Sequence, residues 1–422
     1  MAGPVSGIYD ALWIHARLAP MAGADYGLID DGAIAVADGR IAWLGPMAAL
    51  PASPEALAPI VHDEAGRLLT PGLVDCHTHI VHAGERRVDF ELRNQGGTRE
   101  DIARAGGGVR GTVHQTRALS EAALYAESEP RVLSLIAHGV TTFESKSGYG
   151  LDVDTELRIM RISRALEQRL PVTVKSTFLG AHGLAPEFDD RPDDYIEFMV
   201  RRVLPAAVQQ GLVDAVDGFC DRLGFNHAQI GALFDAAGAH GLPVKAHADQ
   251  YNDFGAGAVV AKYRGLSADH LEYASEATVR AMAEAGTVAT LIPGANWTLL
   301  ETARPPIDLF RRYGVPMAVA TNNNPSSSPT CSPTMMMNMA CHLFRITPFE
   351  ALAGFTRVGA QALGLAATHG TLEPGKVADF AIWDVTHPAE LSYRIAANPC
   401  RRVVKGGAVI YQAAPIAIAP RA

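Results

Sequence analysis

The chain predicts an α/β fold, a (β/α)8 TIM-type barrel with a small β-sandwich built from both termini. Three observations predict it. Through the middle of the 422 residues, apolar runs of strand length alternate with amphipathic helical stretches, the rhythm of parallel strands covered by helices. Both ends are β-rich and lack that rhythm. The central apolar runs close on polar side chains, many of them histidines, as at the C-terminal rim of such a barrel, where its chemistry sits. Residues 1–69 and 366–422 then make the composite sandwich, and 70–365 the barrel, whose length suits eight βα units.

Taken in order, residues 7 to 60 read as short strands with turn signals, and Asp38-Gly39 between two apolar runs over 32–45 predicts a hairpin. The run Pro71-Gly72-Leu73-Val74-Asp75 is the first barrel strand and leads into His77 and His79. Later strands are predicted over 172–178, 242–246, 287–292 and 316–320. Helices over 275–285 and 348–356 open on a capping Ser or on Pro at a first-turn position. Segments 375–384 and 402–411 read as strands again. Internal repeats and low-complexity tracts are lacking, and 322–328 is a polar loop.

Composition excludes several classes. The 48% hydrophobic and 19% charged fractions are ordinary for a globular enzyme with a large core. A net charge of −9 with no Lys/Arg run argues against nucleic acid or an anionic membrane as partner. A small anionic substrate therefore needs local arginines. The five cysteines, Cys76, Cys220, Cys331, Cys341 and Cys400, form no CxxC pair, so a disulfide framework is not expected and a reducing compartment is. The first twenty residues lack a signal-peptide layout and no run approaches a membrane span, which makes a cytoplasmic location the expectation. Exposed apolar helices leave a homodimer open.

The strand ends carry the chemistry. His77 and His79, spaced i and i+2, face one side of an extended segment, so both imidazoles can reach one ion. Later runs close with Glu144, Lys146 and Tyr149, then His182, His247, Asp269 with His270, and Asn322. His77, His79 and His247 match a site for one divalent metal ion, zinc or iron, with a position left for water. A water on such an ion loses its proton near neutral pH. His270 is the candidate that polarises a carbonyl or moves a proton, while Asp269 is open between that work and a structural hydrogen bond. Arg86 or Arg87, in the loop after the first strand, is the candidate clamp for a carboxylate. Gly148-Tyr149-Gly150 presents a hydroxyl between two flexible residues.

These residues resemble the amidohydrolase superfamily and, within it, the imidazolonepropionase family. The strings that carry the resemblance are Asp75-Cys76-His77-Thr78-His79, Glu144-Ser145-Lys146-Ser147-Gly148-Tyr149-Gly150-Leu151, Thr177-Phe178-Leu179-Gly180-Ala181-His182, Lys245-Ala246-His247-Ala248-Asp249-Gln250 and Asp269-His270-Leu271-Glu272. It runs over nearly the whole chain. The resemblance implies a barrel with a terminal sandwich, and His77, His79 and His247 as metal ligands. It implies that Arg86, Tyr149 and His182 contact substrate and that Gln250 and His270 line the reacting ring. Asn324, Ser326 and Ser327 fall where the family meets the propionate end.

One loop departs. Where the family has an aspartate after the threonine and then Asn-Pro-Gly, this chain has Thr321-Asn322-Asn323-Asn324-Pro325-Ser326-Ser327. Asn322 thus stands at a metal-binding aspartate. An aspartate ligates and also accepts a proton, whereas a neutral amide at best offers its oxygen. Proton acceptance then falls to another group, His270 first. The resemblance implies a histidine-degradation hydrolase opening an imidazolone-type ring with a propionate arm, 4-imidazolone-5-propanoate to N-formimino-glutamate. Two alternatives stay open: a desulfhydrase acting on a 2-thioxo-imidazolidinone propionate with release of sulfide, and a non-catalytic scaffold barrel.

Overall fold

The computed structural model describes residues 8–414, apart from the side chains of residues 99, 100 and 103. Eight parallel strands follow one another round a barrel: β1 Leu73–Asp75, β2 Val140–Lys146, β3 Thr173–Ala181, β4 Ala215–Cys220, β5 Val244–Ala248, β6 Ser267–His270, β7 Val288–Leu291 and β8 Met317–Val319. Each pairs in parallel with the next. The strands are buried along nearly their whole length, as their continuous apolar runs require when helices cover the outside.

The covering helices start where the sequence supplies caps. Ser275 accepts the Thr278 amide at the start of Glu276–Ala285, and Thr347 with Glu350 makes a reciprocal capping box on Pro348–Gly354. Gly286, at φ +76°, ends the first of these, a conformation glycine adopts without strain.

The barrel closes between its first and last strands just beyond their ends. His79 N donates to Asn323 O at 2.8 Å, Asn322 N donates to His77 O at 2.9 Å, and Thr78 bridges Asn323 in parallel. The buried Asp75 carboxylate accepts the Thr321 amide at 3.0 Å. Lower down, Val74 N turns outward to Phe355 O at 2.7 Å. The join is therefore made at the rim.

Both termini share one eight-stranded sheet. Its order is 408–412, 400–405, 380–383, 68–71, 11–18, 29–37, 40–46, with 60–63 also paired to 11–18. Asp38 at φ +51° and Gly39 at φ +72° make the expected hairpin turn between its strands 29–37 and 40–46. Trp13, Leu18, Ile34, Leu69, Phe380, Ile382 and Val404, drawn from both ends of the chain, form its core. Residues 1–7 and 415–422 of the expected sandwich lie outside the described residues. This sheet meets the barrel near the strand starts: Trp383 packs over Gly139, just ahead of β2, and Lys405 Nζ reaches Thr173 Oγ1 at 2.7 Å.

Candidate active site

The candidate residues read from the sequence come to one place, the C-terminal rim of the strands, except Arg87: it opens a helix, its side chain is exposed 3.8 Å from Glu91, and the clamp falls to Arg86. The Nε2 atoms of His77 and His79 lie 3.3 Å apart and those of His79 and His247 lie 3.4 Å apart. Beside them is a cavity of about 170 Å³ lined by His79, Arg86, Tyr149, His182, His247, Gln250, His270, Asn322, Asn324, Ser326 and Ser327. Val109, Phe219, Tyr251 and Leu299 complete its wall. None of the lining residues is a carboxylate.

Each imidazole is oriented from behind. His77 Nδ1 lies 2.6 Å from Asp269 Oδ2, and His247 Nδ1 lies 3.3 Å from Asp217 Oδ1. An ionised carboxylate only accepts, so both Nδ1 atoms carry the proton and both Nε2 lone pairs face the common centre. Burial holds the His77, His79 and His247 rings below the ordinary imidazole range, so they stay neutral. Neutral rings are what a cation needs. The His79 Nδ1 atom is buried without a hydrogen-bond partner.

Beneath the rings lies a buried ionic layer. Lys146 Nζ contacts Glu144 at 2.9 Å and Asp269 at 3.5 Å and pairs with Asp217, while Lys245 Nζ contacts Glu144 at 2.8 Å and the Cys76 carbonyl at 2.9 Å. Burial alone would lower the Lys146 pKa, but Asp217, Glu144 and Asp269 overcome it and raise it. Burial likewise pushes Asp217 and Asp269 up, and the lysines overcome it to hold both carboxyls below their ordinary value. Two ammonium groups thus face three carboxylates. The surplus negative charge has no neutralising partner in the layer, and a cation against the three imidazoles supplies one. The converging nitrogens, the neutral rings and this surplus all fit a divalent ion of the zinc or iron type. His77 also converges with Glu144 and Asp269, but the two lysines already occupy that space.

The remaining candidates ring the cavity. Gly148 at φ +100° lets the 147–151 loop turn tightly, and Glu156 gathers the amides of Gly148, Gly150 and Leu151. That turn buries Tyr149 against His182, ring centroids 5.2 Å apart. His182 Nδ1 lies 3.0 Å from the Gly148 carbonyl and therefore donates, leaving Nε2 as an acceptor. Burial lowers the His182 pKa to about 3. Arg86 Nε donates to Thr112 Oγ1 at 2.8 Å, and no described carboxylate pairs with its guanidinium. Asn324 Oδ1 accepts the amides of Ser326 and Ser327, both at 2.8 Å, and shapes that loop.

Backbone strain gathers at the same rim. His270, Leu271 and Asn322 have φ of +83°, +69° and +50°, a region non-glycine residues enter at a cost of order 1–3 kcal/mol each. The sequence reading missed Asp217 and the parts played by Lys146 and Lys245. A charged residue inside Ala215-Val216-Asp217-Gly218-Phe219-Cys220 was the available signal. Asp269 resolves as the partner of His77. Lys175 lies away from the cavity, on Asp214 at 3.0 Å.

A barrel with an open three-imidazole centre at its strand ends defines a metal-dependent hydrolase. The chain belongs to the amidohydrolase family, which residues 68–410 match. It is 58% identical over 402 residues to the imidazolonepropionase of Ralstonia nicotianae, covering 95% of this chain and 98% of the relative. The imidazolonepropionase of Cupriavidus taiwanensis is 52% identical, covering 95% of each chain. Among solved structures, a 5-methylcytosine deaminase from Klebsiella pneumoniae superposes with a TM-score of 0.74 at 18% identity, over 97% of this chain and 99% of that one. This last likeness is one of fold.

Proposed function

We propose that this chain opens the ring of 4-imidazolone-5-propanoate by adding water across the bond between the ring carbonyl carbon and its neighbouring nitrogen, giving N-formimino-glutamate. The observation that carries the proposal is the convergence of three neutral imidazoles, with Nε2 atoms 3.3 Å (His77–His79) and 3.4 Å (His79–His247) apart, at one wall of a cavity that also holds an arginine with no described carboxylate partner. The named activity of the Ralstonia and Cupriavidus relatives supports it.

In this reading His77, His79 and His247 hold one divalent ion, zinc or iron, with the Asn322 side chain beside them. The ion supplies Lewis acidity toward the ring carbonyl and the attacking water. Arg86, with Asn324, Ser326 and Ser327 opposite, fixes the propionate, because a guanidinium fork matches a carboxylate. Tyr149 and His182 hold the ring, and Gln250 reads its polar edge. His270 receives the water proton and returns it to the departing nitrogen, with Glu272 Oε1 3.9 Å from its Nδ1 to steady the charge. Five unpaired cysteines accord with a cytoplasmic site of action, and we divide the chain into a 70–365 barrel and a 1–69 plus 366–422 sheet domain.

A second reading has one observation in its favour. The cavity wall carries no carboxylate, with Asn322 where the family pattern has aspartate. Scission of a C–N bond needs a proton for the departing nitrogen, whereas sulfide leaves a 2-thioxo ring as a stable anion, so a cavity without a carboxylate to relay that proton beside His270 suits the thio-ring substrate. The scaffold alternative gains nothing from the site.

One experiment tests both. Purified metal-loaded protein is incubated with each ring compound while ring absorbance and sulfide are followed. Loss of imidazolone absorbance with N-formimino-glutamate as product is the expected result. Sulfide from the thio ring alone would replace the first reading with the second, and turnover of neither would overturn both.

A further inference from the structure

A second cavity, of about 480 Å³, adjoins the reaction cavity on the far side of the 323–326 loop. Arg86, Asn324 and Ser326 line both. The second wall adds Arg87, Arg131 and His82, against the single carboxylate of Glu85. Arg131 and Arg87 lie 3.9 and 3.8 Å from Glu127 and Glu91, beyond direct hydrogen-bond distance, and Arg86 meets no described carboxylate at all. Phe90 and Pro329 give the same cavity an apolar floor.

Two of these groups are fixed rather than free at the surface. Arg131 spends Nη1 on the carbonyls of Ile80 and His82, both at 2.9 Å, and burial lowers its pKa. His82 is only 4% exposed, and its Nδ1 atom has no hydrogen-bond partner of good geometry. A buried imidazole costs stability unless its polar atoms are satisfied. Neither residue takes part in the hydrolysis proposed above.

We infer that this cavity is a second binding site, for a small carboxylate with a short hydrocarbon body, held by Arg131, Arg87 and His82 and sharing Arg86 with the reaction cavity. Guanidinium forks and an imidazole N–H satisfy carboxylate oxygens, and Phe90 with the prolines covers the hydrocarbon. Because Arg86 serves both cavities, an anion in one competes for the group that the other uses. The inference does not depend on which ring the reaction cavity opens.

Cys331 lines the second cavity and not the first, and Cys341 lines neither, which supplies an internal control. Burial raises the Cys331 thiol to about 11, so labelling is run at alkaline pH. The full-length metal-loaded protein is alkylated with iodoacetamide while glutarate is titrated, and both cysteines are followed by peptide mass spectrometry. Glutarate is expected to slow Cys331 and leave Cys341 unchanged. His82→Phe and Arg131→Met are each expected to raise the half-protecting glutarate concentration about tenfold, the effect of one lost charge-assisted contact. If Arg131→Met fails to fold for want of the Ile80 and His82 contacts, His82→Phe carries the test alone. An unchanged Cys331 rate, equal slowing of both cysteines, or full protection in His82→Phe would each overturn the inference. Loss of ring-opening activity would leave this readout untouched, so the two proposals fail separately.

Discussion

In the proposed reaction, Asn322 is the side chain whose replacement is most telling. It is almost wholly buried, strained at φ +50°, and lines the reaction cavity beside the imidazoles. Replacing it by aspartate restores a proton acceptor next to the centre. Asn322→Asp is expected to raise kcat on the imidazolone ring, checked by steady-state absorbance kinetics. Asp217→Asn removes the carboxylate charge behind His247 and beside Lys146, and metal affinity is expected to fall about 10–100-fold, measured by competition with a chromophoric chelator. The depressed imidazoles also have a stability consequence. His77, His79 and His182 fold with pKa values below the ordinary 6.5, so the unfolded chain binds more protons as pH drops beneath that value. Their share of stability is therefore whole above the unfolded value and is lost as pH falls. Thermal unfolding of metal-stripped protein is expected to show Tm falling steadily from pH 7 to pH 5.

At the scale of elements, the rim loops repeat one device: a strand ends, a side chain gathers loop amides, and the next residue is thrown into the cavity. Glu156 does this for the 147–151 turn. A Cβ on Gly148 would sit 2.6 Å from the Leu179 carbonyl and 2.8 Å from His182 Cβ. Gly148→Ala is expected to displace Tyr149 and His182 together, raising KM more than it lowers kcat, and to cost at least about 1 kcal/mol of stability, read by kinetics and by urea unfolding. The strands and the histidines that close them were legible in the sequence because buried parallel strands are short apolar runs with abrupt polar ends. The ionic layer was not. Lys146, Asp217 and Lys245 sit inside or beside those runs, and their charges make sense only once strands separated by scores of residues stand side by side.

For the whole molecule, the reaction cavity and the terminal sheet lie at opposite ends of the strands, one built for chemistry and the other for holding the barrel's base. Trp383 is the plainest link: fully buried and bonded to Thr70 within the sheet, it packs so close to the barrel that a Cβ on Gly139 would lie 2.4 Å from it. Trp383→Ala is expected to cost about 3–5 kcal/mol with metal stoichiometry unchanged, checked by denaturant unfolding and elemental analysis. The sequence suggested that both ends of the chain share one small domain. It was silent on their forming a single hydrogen-bonded sheet, since pairing partners more than 300 residues apart leave no local trace.

The rim join between the first and last strands has one more consequence. His77 and His79 stand on one side of it and Asn322 on the other, so a cation gripped from both sides would act as a buckle on a belt. Chelation would then do more than silence the enzyme: it would leave the hoop held there by the His79–Asn323 and Asn322–His77 backbone bonds alone, and amides around Thr78 and Asn323 would be the first in the barrel to exchange with deuterium.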